Sequence, residues 1–243
     1  MIEVRNLRKR FGSVQAVDDV SFAAANGHVT GLLGPNGAGK STTLRMVSAI
    51  LKPDAGNAII DGVDIRDDAI TARRRMGVLP HDPGLYPRLT ARENIHYYGR
   101  LNGLEGAALA ARTEELIGLL AIDEFADRRA HGYSHGQRVK VAIARALIHT
   151  PANVILDEPM TGLDVMATRS VRGLISELRD AGHCVLFSSH VMEEVARLCD
   201  DIVIIAHGKV VAAGAPDAIR EQTGQQNLED AFVAAIGSTA GLG

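Results

Sequence analysis

Val29-Thr30-Gly31-Leu32-Leu33-Gly34-Pro35-Asn36-Gly37-Ala38-Gly39-Lys40-Ser41 runs from a short apolar stretch, through a glycine-rich loop, to a lysine and a hydroxyl residue. A brief, almost unbroken apolar run fits a strand buried on both faces. Beyond it, Leu44, Val47 and Leu51 recur at helical spacing, and Pro53 marks an expected helix end. Three further runs share the strand character: Val154-Ile155-Leu156, Cys184-Val185-Leu186-Phe187 and Ile202-Val203-Ile204-Ile205. Helical patterns separate them, which predicts an α/β fold with a mostly parallel sheet covered by helices. Polar residues follow the runs: Gly34 to Ser41 after the first, Asp157 and Glu158 after the second, Ser188, Ser189 and His190 after the third. Ligands of open α/β sheets bind beyond the carboxyl ends of the strands, so these groups are expected to converge on one edge.

The flanking segments read differently. Ile2 to Leu7, Val20 to Phe22 and Asn57 to Asp61 alternate like half-buried strands, with turn signals at Asn26-Gly27 and Asp61-Gly62. They predict an N-terminal antiparallel β layer over about 2–28 and 57–62. Residues from about 91 to 148 are helical in pattern, which predicts a helical subdomain inserted between the glycine loop and the Asp157 strand. One domain is expected over 2–236, with a frayed tail of small residues at 237–243.

Composition narrows the function classes. The 243 residues carry a net charge of −3, so no strongly basic face is advertised and no nucleic-acid partner is expected. Cys184 and Cys199 sit among apolar neighbours, as buried thiols of a reducing compartment do. The N-terminus alternates like a strand, without a signal core, and no apolar run approaches the ~20 residues that span a bilayer. A cytosolic protein is expected, with any membrane role supplied by a partner. The run Arg73-Arg74-Arg75 reads as a solvated face, and Met160 as a packing residue.

Gly34-Pro35-Asn36-Gly37-Ala38-Gly39-Lys40-Ser41 fits the phosphate-loop pattern of Gly, four residues, then Gly-Lys-Ser. Glycines let backbone N–H groups approach phosphates closely, and the following helix, opening at Lys40, Ser41 and Thr42, aims its N-terminus at the anion. Lys40 brings a point charge to the terminal phosphates, and the Ser41 hydroxyl is a Mg²⁺ ligand. The alternative is a glycine-rich turn that binds nothing. Asp157 and Glu158 end a buried-type strand, where carboxylates are costly without a role. Asp157 then serves Mg²⁺, through a water, and Glu158 takes a proton from an attacking water or positions it. The alternative is a helix N-cap followed by Glu-Pro.

With four further segments, the set resembles the ATP-binding subunits of ABC transporters. Tyr133-Ser134-His135-Gly136-Gln137 resembles the family signature, Gly162-Leu163-Asp164 its D-loop, Ser189-His190 its switch histidine and Phe11 its adenine-stacking aromatic. Val139, Ala142, Ile143, Ala146 and Leu147 follow the signature at helical spacing, so Ser134 and Gly136 open an amphipathic helix. The resemblance runs from about Ile2 to Ile236. It implies a P-loop NTPase with a RecA-like core, ATP and Mg²⁺ as ligands, and Glu158, His190 and Lys40 as the catalytic set. Nucleotide contacts fall to Phe11, to Gly34 through Thr42, and to Ser134, Gly136 and Asp164; the metal falls to Ser41 and Asp157. It further implies two ATPase subunits pairing head to tail, as a homodimer or a mixed pair, beneath a membrane-spanning permease on the inner face of the cell membrane.

Two positions depart from the family pattern. His81 stands where a glutamine is usual, and His135 where a glycine is usual. The segments 84–94, 187–195 and 228–232 resemble the sodium-efflux group of exporter ATPases. Competing readings are a soluble ABC ATPase acting on ribosomes or DNA, a nucleotide-responsive module without turnover, and a small-molecule phosphotransferase. The single phosphate loop, the absence of sustained heptads and the lack of an acceptor motif count against the first and third of these.

Overall fold

The computed structural model describes residues 1–237; of the tail expected at 237–243, all but Gly237 lies outside the described residues. Strands β1 (Ile2–Phe11), β2 (Val14–Ala24) and β3 (Val29–Leu33) are followed by helix α1 (Lys40–Val47), then β4 (Ala55–Ile60), β5 (Val63–Asp64), α2 (Ala69–Arg74) and β6 (Met76–Leu79). Helices α3 (Ala91–Leu101), α4 (Gly106–Leu119) and α5 (His135–Leu147) come next. The chain closes through β7 (Asn153–Asp157), α6 (Val165–Asp180), β8 (Cys184–Ser189), α7 (Met192–Leu198), β9 (Asp201–Ala206), β10 (Lys209–Gly214), α8 (Pro216–Thr223) and α9 (Leu228–Ile236).

Two sheets result. One has the order β2-β1-β4-β5 and is antiparallel; the other has the order β10-β9-β3-β8-β7-β6 and is parallel except for the β10–β9 pair. The central strands are buried along almost their whole length because both faces are covered. Ile155, Leu186 and Val203 join a core with Leu7, Leu44, Met46 and Ile60 of the antiparallel layer and α1. Their neighbours Leu156, Phe187 and Ile204 point to the opposite face, against Ile143, Ile175 and Phe232 of the helices. The two-residue period of a strand splits each run between the two cores.

The antiparallel strands reach further than their alternation predicts. The pairing of β1 with β2 continues from Ile2↔Ala24 to Phe11↔Val14, with register irregularities after Val4, Leu7 and Lys9 that disrupt the alternation. Asp61-Gly62 does turn β4 into β5, with φ of 47° and 84°, the pair of positive values that a type I′ hairpin demands. Asn26-Gly27 instead ends the β layer: Gly27 N–H donates to the carbonyls of Gly182 and His183, docking the turn on the entry to β8.

Helix α1 stops short of Pro53. Ala49 adopts a left-handed φ of 55°, and the amides of Ile50 and Leu51 both donate to the Arg45 carbonyl, closing the helix after Val47. Leu51 therefore lies outside it. Arg75 departs from the solvated arginine run, donating from Nη1 to the Asp61 carbonyl at 2.5 Å while Arg73 and Arg74 stay exposed. Met160 is half-buried against the helical core.

Both cysteines are buried and free. Burial pushes the Cys184 thiol up to about 11, and that of Cys199 higher still. Thiolate is the reactive form, so native protein at pH 8 should resist iodoacetamide at both positions and take two labels after unfolding, as read by mass spectrometry.

Candidate functional site

The sheet lines up its carboxyl ends. Leu33 of β3 pairs with Ser189 of β8 and Ile204 of β9, Asp157 of β7 with Ser188, and Leu79 of β6 with Leu156. The glycine loop leaves β3 at this edge and turns into α1. Its glycines are forced by close approach: a Cβ at Gly34 would stand 2.2 Å from the Ile205 carbonyl oxygen, and one at Gly39, where φ is +105°, 2.4 Å from that of Ala16. A Gly39→Ala variant should lose at least about 1–3 kcal/mol of stability from backbone conformation alone, seen as a lowered midpoint in urea unfolding.

Lys40 is the first residue of α1 and is buried. Its Nζ donates to the Gly34 carbonyl at 2.6 Å and to that of Pro35 at 3.1 Å, and lies 3.9 Å from Glu158 Oε1. Burial lowers its pKa, opposed by the nearby carboxylates of Glu158 and Asp157. An ammonium held in this way gains from an incoming anion.

The carboxylates are held individually. Asp157 Oδ1 accepts from Ser41 Oγ at 3.1 Å and from Ser188 Oγ at 2.7 Å. The same Ser188 oxygen accepts from the Glu158 amide at 2.9 Å, pinning that residue at a left-handed φ of 55°. Glu158 Oε2 accepts from Thr161 Oγ1 at 2.8 Å and meets His190 Nδ1 at 2.7 Å. Because a carboxylate only accepts, Nδ1 carries the hydrogen of the His190 ring.

A cavity of about 310 Å³ opens over this edge, lined by Lys40, Ser41, Arg45, His81 and Glu158, with Gly37 to Gly39 along its rim. Among the described residues no cluster of three or more His, Cys, Asp or Glu side chains suits a metal held by protein alone. The Ser41–Asp157 pair does fit Mg²⁺, which takes one or two hard oxygen ligands from a protein and the rest from phosphates and water.

The other sequence-selected residues lie elsewhere. Ser134 caps α5: its Oγ accepts from the Gln137 amide at 3.2 Å, while Gln137 Oε1 accepts from the Ser134 amide at 3.1 Å. A Cβ on Gly136 would meet only Leu163 and Ala167 at ordinary contact distance. His135 Nε2 lies 3.0 Å from the Thr161 carbonyl, which ties α5 to the loop after Glu158. Asp164 caps α6, accepting from the Ala167 amide at 2.8 Å. Phe11 ends β1 half exposed, with the Lys9 ammonium 5.7 Å from its ring, so it is not part of the core. Neither Phe11, Ser134 nor Asp164 lines the cavity.

Three contributors escape the sequence reading. Ser188 joins both carboxylates, Thr161 holds Glu158, and Arg45 lines the cavity. Ser188 was visible only as one of several polar residues after a strand. Thr161 and Arg45 carry no pattern signal.

Comparison with known proteins identifies the family. Residues 17–161 match the family model described as ABC transporter. The ABC transporter ATP-binding protein NatA of Bacillus subtilis (strain 168) is 41% identical, over 97% of this chain and 98% of its own length. A solved structure described as the ATP binding subunit of an ABC transporter superposes with a TM-score of 0.90 at 31% identity, covering 97% of this chain and 99% of that one. The dimeric bacterial ABC transporter cassette MJ0796 superposes at 0.81 with 28% identity, covering 88% and 98%. A matched family model and near full-length relatives lead to one conclusion: the chain belongs to the ABC transporter family, as one of its ATP-binding ATPase subunits.

Proposed function

We propose that residues 2–236 form one ATPase domain that powers an exporter, pairing with a second ATPase subunit and coupling to a separate membrane-spanning permease. The observation that carries the site assignment is the chain of contacts Ser41–Asp157–Ser188–Glu158 at the mouth of the glycine loop. In this reading the loop from Gly34 to Thr42, through the backbone amide of every residue but Pro35, and the Lys40 ammonium bind the β- and γ-phosphates of ATP. Ser41 and Asp157 would hold Mg²⁺, which when bound neutralises charge on the transferring phosphoryl group. Glu158 accepts the proton of the attacking water, and His190, already on its carboxylate, orients it and faces the γ-phosphate.

Phe11, exposed at the end of β1, stacks on adenine in the same reading. Ser134 and Gly136 at the N-terminus of α5, together with Asp164, meet ATP carried by the paired subunit. The dimeric relative supports such pairing. No described helix is long and apolar enough to cross a membrane. We assign the membrane spans to the permease and place this chain on the inner face of the cell membrane. The resemblance of 84–94 and 187–195 to sodium-efflux ATPases makes Na⁺ the first export substrate to test.

The decisive assay is steady-state phosphate release by purified protein at saturating Mg-ATP across a range of protein concentrations. Turnover per chain should rise with concentration, because each site needs two chains. Absence of release at every concentration, with and without permease membranes, would overturn the proposal.

A further inference from the structure

Helix α5 begins beside the loop that follows Glu158, and one side chain joins the two. His135, the first residue of the helix and half-buried, lays its ring against Gly162: a Cβ on that glycine would stand 3.5 Å from Cδ2 and 3.8 Å from Nε2 of the imidazole. Nε2 lies 3.0 Å from the Thr161 carbonyl oxygen. A carbonyl only accepts, so Nε2 carries the ring hydrogen and donates it. The glycine usual at this position in the family pattern has no side chain to make such a bond.

Thr161 is held from three sides. Its amide donates to the Glu158 carbonyl at 3.2 Å, its hydroxyl donates to Glu158 Oε2 at 2.8 Å, and its carbonyl takes the His135 hydrogen. Of these bonds, the one from His135 spans 26 positions and fixes Thr161 to a separate element. Gly162, next in the chain, has a φ of +72°. Glycine crosses between left- and right-handed backbone at little cost, so without the anchor the Thr161–Gly162 peptide is free to rotate. The hydroxyl then leaves Glu158, whose Oε2 keeps only His190 Nδ1, at 2.7 Å. A carboxylate turns easily about its broad terminal torsion.

We propose that His135 is a positioning residue for hydrolysis. Through Thr161 it holds the Glu158 carboxylate at the angle where Oε2 is shared with His190 and Oε1 stays opposite Lys40. This role rests on the base assigned to Glu158 above. His135 does not line the cavity over Lys40 of its own chain, so its effect belongs in kcat and not in KM for ATP.

Steady-state and single-turnover phosphate release from Mg-ATP test it in the full-length chain, with His135→Gln, His135→Glu, His135→Ala and Thr161→Val beside the wild type. Glutamine can reach the carbonyl with an Nε2–H donor, whereas glutamate, its isostere, offers only acceptors. The glutamine variant should stay within about twofold of the wild-type kcat, and the other three should lose about tenfold with KM unchanged, as misplacing a reacting group does. His135→Ala/Thr161→Val should be no slower than the slower single variant, because both remove one shared contact. An alanine variant at full rate would overturn the proposal, as would a glutamine variant as slow as the glutamate one. Losses that multiply in the double variant would also overturn it, and would assign His135 to the ATP of the paired subunit. The His190 ring resonances of nucleotide-free protein separate this role from the function it rests on. They should move in the alanine and glutamate variants and stay in the glutamine variant, because His190 shares the Glu158 carboxylate. Wild type that releases no phosphate would condemn the base assigned to Glu158, while resonances unmoved by His135→Ala would condemn the link through Thr161.

Discussion

Glu158→Gln should lower ATP turnover by about 10²–10⁴-fold, the span a positioned general base supplies, while leaving Mg-ATP binding intact. The substitution keeps the shape of a side chain fixed at four points: the backbone by Ser188, Oε2 by Thr161 and His190, and Oε1 opposite Lys40. It removes the capacity to take a proton, and with it the carboxylate charge opposite Lys40. A glutamine turned with its amide nitrogen toward His190 Nδ1 would set two donors face to face, so the ring should rotate or change tautomer, detectable as a shift of the His190 resonances in NMR spectra. Single-turnover phosphate release reads the chemistry, and gel filtration with ATP reads the pairing, which should persist longer in the variant. Equal rates for the variant and wild type would remove Glu158 from the role.

Lys40→Met should weaken ATP binding by roughly 10²-fold. Charge-assisted hydrogen bonds contribute about 1.5–3 kcal/mol each, and this ammonium is placed for at least one to the phosphates. Isothermal titration with Mg-ATP measures the loss; unchanged affinity would show that the loop amides alone hold the phosphates. The variant carries a second signature. Burial lowers the Lys40 pKa below its ordinary 10.5, so between the lowered value and 10.5 the unfolded chain binds more protons than the folded one. Stability contributed by Lys40 therefore rises with pH across that window. Wild type should gain stability relative to Lys40→Met as pH climbs toward 10.5, and the difference between their urea midpoints at each pH reports it.

The parallel core was legible because its strands are short, apolar and followed by polar clusters, and because one complete phosphate-loop pattern fixes strand, loop and helix in order. Strand β6 was not. It has four residues, and Gly77 interrupts it because a Cβ there would stand 2.3 Å from the Ala146 carbonyl oxygen of α5. Packing chose that glycine, and no local pattern announces it. Strand β10 ends in two alanines and a glycine, residues of low strand propensity, and is held in place by its pairing with β9. The acidic pair was readable from position alone. Its hydroxyl partners were not, because Ser188 and Thr161 lie 31 and 3 residues away from the atoms they hold, and only the sheet register brings Ser188 beside Asp157.

The placement of β3 between β8 and β9 has a consequence for biosynthesis. The strand that bears the glycine loop leaves the ribosome early, yet its neighbours begin about 150 and 170 residues later, a delay of roughly 8 to 34 seconds at ordinary elongation rates. Throughout that interval a five-residue, mostly apolar strand presents two unpaired edges, the configuration that templates aggregation. A nascent chain arrested before Cys184 should therefore be retained by chaperones or degraded rather than accumulate as a soluble fragment, whatever the integrity of its N-terminal half.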